Sequence, residues 1–163
     1  MKKADFNLAK QKADELLKLC DERPIKLSLI LNHLGLSTRY ATADDDMPEE
    51  AKLIPQEKII LVRQDDAPVT RKLFSIAHEI GHFVLHNHNK ERYRLDMKNV
   101  NKLDDDQMIE EQEANAFAAE LLMPYNEVKE MLLKGYDTQD IMNYFNVSYA
   151  FAVFRTSFIV KGF

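Results

Sequence analysis

The sequence predicts an α+β fold, mostly helical, with a small antiparallel sheet. Three observations carry that expectation. Apolar residues recur at helical spacing in several segments, beginning with Phe6, Ala9, Ala13, Leu16, Leu17 and Cys20. Short β-rich runs, 36–41 and 58–63, lie together between the helical segments. The chain has 163 residues, 45% hydrophobic and 30% charged, enough to bury one core without disulfides or a structural metal.

The elements follow in order. Residues 4–22 read as an amphipathic helix ended by Pro24, and 25–34 as a second, with Gly35 as its C-cap. Segments 36–41 and 58–63 are extended. Pro55-Gln56-Glu57 turns one short strand into the next. A long helix spans Val69–Leu85, with Thr70 as its cap. Residues 86–106 are polar and acidic and read as a loop. Asp104-Asp105-Asp106 leads into a helix over 107–123, since aspartates at a helix start accept orphan N–H groups and suit the dipole. Pro124 stops it. Short helices over 126–134 and 138–145 are separated by Gly135, and 148–159 forms a last one. The expected organisation is a single domain over 1–163: an N-terminal helix (1–22), a core (23–124) and a helical, helix-turn-helix-like end (125–163).

Charge and composition exclude several classes. The net charge of −5 repels phosphate backbones, so no direct nucleic-acid partner is expected. The longest uncharged stretch, 141–154, contains Asn143, Asn146 and Ser148 and is too short and polar to span a bilayer. No apolar run follows the opening lysines as an export signal requires, and the one cysteine, Cys20, can form no internal disulfide. A cytoplasmic protein with no membrane partner is the expectation.

His78-Glu79-Ile80-Gly81-His82 is an HExxH sequence. On a helix, His78 and His82 share a face and can offer nitrogens to one zinc ion, with Glu79 beside a water as base. Chance alone gives such a pentapeptide in about one chain in a hundred of this composition. The apolar neighbours Leu73, Phe74, Ile76, Ala77, Ile80, Val84 and Leu85 anchor the helix, as a rigid site requires. A catalytic zinc needs a third ligand. His88 has the spacing of a third histidine, but Leu85 stands where that arrangement needs glycine for a sharp turn. His86 is one turn past His82 and cannot join both other histidines on one ion; both are expected to be exposed or to support the site indirectly. In Glu110-Glu111-Gln112-Glu113-Ala114-Asn115-Ala116-Phe117-Ala118-Ala119-Glu120, Glu113 shares an apolar stripe with Ile109, Ala116 and Phe117. A carboxylate in such a stripe must be paired or metal-bound. Glu113 is the expected ligand, Glu120 a supporting carboxylate, Glu110 lies at the edge, and Glu111 is read as pointing away.

The residues 70–82, TRKLFSIAHEIGH, followed by 113–124, EANAFAAELLMP, resemble the ImmA/IrrE family of zinc metallo-endopeptidases. The family pattern is roughly RFTxAHExGH and then ExEANxFAxxLLMP; Lys72-Leu73-Phe74-Ser75 departs mildly from the first. The resemblance covers roughly residues 20 to 155. It implies a zincin-like fold with the sheet packed on the HExxH helix, zinc (Zn2+) on His78, His82 and Glu113, and Glu79 as catalytic base. It also implies a bacterial or phage-encoded cytoplasmic protein. Relatives of this kind cleave a helix-turn-helix repressor, often encoded beside them, in the control of mobile elements, lysogeny or stress responses. Tyr125 and His88 are the candidates for a second oxyanion donor.

Two rival readings accompany this one. The C-terminal helices could make a DNA-binding regulator, but after Lys134 the basic residues are Arg155 and Lys161, while 148–159 offers Tyr149, Phe151, Phe154 and Phe158. Recognition helices bring Arg or Lys to DNA. The other rival is a zinc-binding interaction protein without turnover. Glu79 speaks against it, because a purely structural zinc has no use for that carboxylate.

Overall fold

The computed structural model describes residues 2–88, 92–93 and 104–161. Helix α1 runs Phe6–Leu17 and buries Ala9, Ala13, Leu16 and Leu17. Asp5 caps it by accepting the Leu8 N–H at 2.9 Å. It ends before the expected residue 22. The N–H groups of Leu19 and Cys20 bond back three residues, to Leu16 and Leu17, so the last turn tightens and the helix stops. Helix α2, Leu27–Leu34, closes on Gly35 at φ +71°, a left-handed position where a Cβ is costly.

Strand β1 (Ser37–Tyr40), a 3-10 turn at Ala43–Asp45, β2 (Ala51–Ile54) and β3 (Ile59–Val62) come next. Helix α3 spans Val69–Leu85, the span that the sequence predicts. Its N-cap is Pro68 rather than Thr70. The short β4 (Arg92–Tyr93) lies inside the segment expected to be a loop, most of which falls outside the described residues. Helix α4 (Asp105–Leu122) starts two residues early because Asp104 and Gln107 form a reciprocal cap. Helices α5 (Tyr125–Leu133), α6 (Thr138–Phe145) and α7 (Tyr149–Lys161) complete the chain.

The strand order is β1-β3-β2-β4. β2 runs antiparallel to β3 and to β4, but β1 and β3 are parallel, with Ser37 opposite Ile59 and Tyr40 opposite Val62. The sheet is therefore mixed, not wholly antiparallel. The stretch between β1 and β3 is long enough to include β2 and bring β3 back beside β1 in the same direction.

Leu61 of β3 is buried on one face of the sheet, and Ala51, Leu53, Ile60 and Val62 are buried on the other. That face packs on α3, where Ala77 and Ile80 are fully buried. The other side of α3 meets α4, and α4 in turn meets α1. The α3–α4 contact is close: a Cβ on Gly81 would lie 3.2 Å from the Ala114 Cα. Helix α3 is thus clamped between sheet and helix, which fixes the direction of its side chains. Helix α7 is tied to α4 through Arg155, which donates to Glu120 at 2.8 Å and to the Met123 carbonyl at 3.0 Å.

Candidate metal centre

Helix α3 places His78 and His82 one turn apart on the face toward α4. Both are buried. Their Nε2 atoms are 3.1 Å from each other. Glu111 of α4 reaches both: one carboxylate oxygen is 3.1 Å from His78 Nε2 and the other 2.8 Å from His82 Nε2. Ligand atoms on a tetrahedral ion with bonds of about 2.0–2.1 Å stand about 3.3 Å apart. Two imidazoles and one carboxylate thus converge at nearly the spacing that one ion demands. Burial opposes ionisation of Glu111, yet the hydrogen bonds from the two histidines hold its carboxyl well below the usual carboxylate range.

The opposite nitrogens define the ring orientations. His78 Nδ1 is 2.7 Å from Asn115 Oδ1. An amide oxygen only accepts, so His78 Nδ1 donates to it; Nε2, which donates to Glu111 in the metal-free site, is the nitrogen that would give up its proton and offer a lone pair to an ion. Glu111 and Asn115 are one turn apart on α4, so one helix face supplies both a ligand candidate and the partner of a histidine. Asn115 is exposed and Glu111 half-buried. The site is therefore closed toward the core and reaches solvent on the α4 side.

Glu79 is fully buried, and one of its oxygens lies within 4.8 Å of ligand nitrogens of His78 and His82. A buried His-Glu-His cluster of this kind can bind a metal. Two of its members could offer ligand nitrogens and the third an adjacent carboxylate, and Glu111 is the further carboxylate within reach of both histidines.

The expected third ligand, Glu113, is not at this point. One of its oxygens accepts the Asp5 backbone N–H at 2.8 Å, and the other lies 2.8 Å from His86 Nε2. The reason is that α4 is covered on two sides. Glu113 and Glu120 reach Asp5 and Lys10 at α1, whereas Glu111 and Asn115 meet the histidines of α3 and Ala114 and Phe117 lie against Gly81. The signal that could have found Glu111 was its one-turn spacing from Asn115. Glu120, expected as a supporting carboxylate, sits on the α1 side against Arg155 and Lys10, away from the histidines. His86 is at the site's rim, its Nδ1 2.9 Å from His82 Nδ1; burial pushes its ring below the ordinary value. His88 stacks on Phe83 at 4.4 Å and hydrogen-bonds the Phe83 carbonyl. Tyr125 opens α5, where its N–H donates to Glu120.

Comparison with known proteins bears on this geometry. The family model of the IrrE N-terminal-like domain, a peptidase M78 family, matches residues 31–157. The chain belongs to this family. Its matched span includes His78, Glu79, His82, Glu111 and Asn115, and the donor set described above fits the metal dependence typical of an M78 domain. Helix α1 lies outside the span. No curated protein matches the chain. A solved structure, a Mycobacterium tuberculosis transcriptional regulator, is similar with a TM-score of 0.62 at 18% identity; the match covers 91% of this chain and 46% of that one. The likeness is one of fold, and this chain spans less than half the length of that protein.

Proposed function

We propose that this chain is a zinc-dependent, site-specific endopeptidase of the ImmA/IrrE type. Its substrate in this reading is a helix-turn-helix transcriptional repressor, of a mobile element, prophage or stress response, met in a bacterial cytoplasm. The observation that supports it most is the convergence of His78, His82 and Glu111 with Glu79 buried beside them. His78, His82 and Glu111 would hold the ion. When bound there, zinc supplies Lewis acidity, lowering the pKa of a water toward 7 and polarising a carbonyl.

The chain's own residues do the rest. Glu79 takes the proton of the attacking water and delivers it to the leaving amine. Asn115 keeps the proton of His78 on Nδ1, so its Nε2 lone pair points inward. Packing between the sheet and α4 prevents α3 from turning these groups apart.

The deciding experiment incubates zinc-loaded protein with the helix-turn-helix repressor encoded nearest to it, with products read by mass spectrometry. Wild type is expected to cut at one bond. Glu79→Gln, which removes the base and no ligand, is expected to keep its zinc and lose at least about a hundredfold in rate. Equal cleavage by the variant would remove Glu79 from the mechanism. Zinc uptake without cleavage by wild type would favour the metal-binding regulator over the peptidase.

A further inference from the structure

The side of His82 away from Glu111 is not in solvent. Its Nδ1 lies 2.9 Å from His86 Nδ1, His86 Nε2 lies 2.8 Å from Glu113 Oε2, and Glu113 Oε1 accepts the Asp5 N–H at 2.8 Å. The donors and acceptors along this chain permit one arrangement that leaves His82 Nε2 able to bind an ion. Glu113 as a carboxylate only accepts, so His86 Nε2 carries the proton. His86 Nδ1 is then an acceptor, and it takes the proton of His82 Nδ1. That leaves a lone pair on His82 Nε2, toward Glu111 and His78. The line is shielded: the His86 side chain is 5% exposed and that of Glu113 is 16% exposed.

We propose that His86 and Glu113 are positioning residues for the metal ligand His82, and that the start of α1, through the Asp5 N–H, holds Glu113 in place. This rests on the reading of His78, His82 and Glu111 as the ion's ligands. It makes α1, outside the span shared with the family, a support of the site. Partners of metal-bound histidines fix tautomer and ring direction, and losing one typically costs 10–100-fold in metal affinity.

The test is zinc affinity by chelator competition, with the melting temperature of the metal-free protein measured alongside. His86→Phe keeps a ring of similar size, and Glu113→Gln keeps the side-chain volume. Each is expected to weaken zinc binding about 10–100-fold while the metal-free protein melts as wild type does. The double variant is expected to lose no more than the worse single one, since both act through His82. Asp5→Pro, which deletes the N–H, is expected to weaken binding more than Asp5→Ala, which keeps it, while both lose the same side-chain cap on Leu8.

Wild-type affinity in His86→Phe or Glu113→Gln overturns the proposal, as do losses that simply add in the double variant. Equal effects of the two Asp5 variants overturn the part assigned to α1. If Glu113→Gln loses as much affinity as Glu111→Ala, Glu113 is itself a ligand and the positioning role falls. A wild type that takes up no zinc overturns this proposal and the ligand set together, which separates that failure from the others.

Discussion

Gly81, the fourth residue of HExxH, shows what one missing methyl does for the site. A Cβ there would stand 3.0 Å from Phe117 Cδ1 and 3.2 Å from both the Cα and the carbonyl oxygen of Ala114. Two of these three atoms are backbone and cannot rotate away. Alanine would gain about 1 kcal/mol of helix propensity over glycine. Forcing two packed helices apart costs about 1–3 kcal/mol. Gly81→Ala is therefore expected to lower stability by about 1 kcal/mol net. It should weaken zinc binding too, because moving α4 carries Glu111 and Asn115 from the histidines. Urea denaturation and zinc competition on the same variant check both; unchanged zinc affinity would mean that the carboxylate tolerates the shift. At this scale the sequence was most legible where spacing alone sets geometry. His78, Glu79 and His82 follow from one helix and need no knowledge of what packs on it. That Glu111 rather than Glu113 lies against the histidine pair did not follow, because it depends on which neighbour covers which side of α4.

At the scale of the element, α4 explains that ambiguity. A helix with one buried face shows one apolar stripe. Helix α4 is covered by α3 on one side and by α1 on another, so Ala114, Phe117, Ala118 and Leu121 are all fully buried and the stripes run together. Glutamates stand at 110, 111, 113 and 120, and periodicity cannot rank them. Contacts rank them: Glu111 meets the histidine pair, Glu113 meets Asp5 and His86, and Glu120 meets Arg155 and Lys10. Elemental analysis of variants is expected to reproduce that order. Glu111→Ala loses its zinc on dialysis, Glu113→Ala retains it but yields it to a weaker chelator, and Glu120→Gln retains it as wild type does. Full retention in Glu111→Ala would refute the ligand set. Elements defined by local chemistry were read well: α3 and α6 begin and end as expected, and Gly35 caps α2. The parallel pairing of β1 with β3 was missed, because the partners are more than twenty residues apart and no local pattern encodes direction.

Over the whole molecule, α7 is joined to α4 by a buried ion pair that two half-exposed charges of α1 flank. Arg155 of α7 meets Glu120 of α4, and Lys10 and Asp14 of α1 complete the set, with Lys10 2.7 Å from Asp14 and 3.5 Å from Glu120. Burial, reinforced by the Asp14 carboxylate, pushes the Glu120 carboxyl up to about 7, while the Tyr125 N–H and Lys10 pull the other way. An unfolded glutamate gives up its proton near 4.5, so between about pH 4.5 and 7 the unfolded chain is ionised where the folded one is still protonated. Raising the pH through that window favours unfolding. The contribution of Glu120 is whole below about pH 4.5 and gone above about 7. At 1.36 kcal/mol per pKa unit the whole contribution is on the order of 3 kcal/mol. Asp14 is lowered and acts on the acid side of this window. His86, lowered by burial, opposes the trend as pH rises toward its ordinary value near 6.5. The contribution of Glu120 is therefore isolated by difference. Glu120→Gln keeps an acceptor for Arg155 and does not titrate. Relative to wild type, the variant is expected to gain about 2 kcal/mol on going from pH 5 to pH 8, read from urea midpoints at both values. A difference that stays flat across that range would show that Arg155 and Lys10 keep Glu120 ionised throughout, and that the junction is an ordinary ion pair.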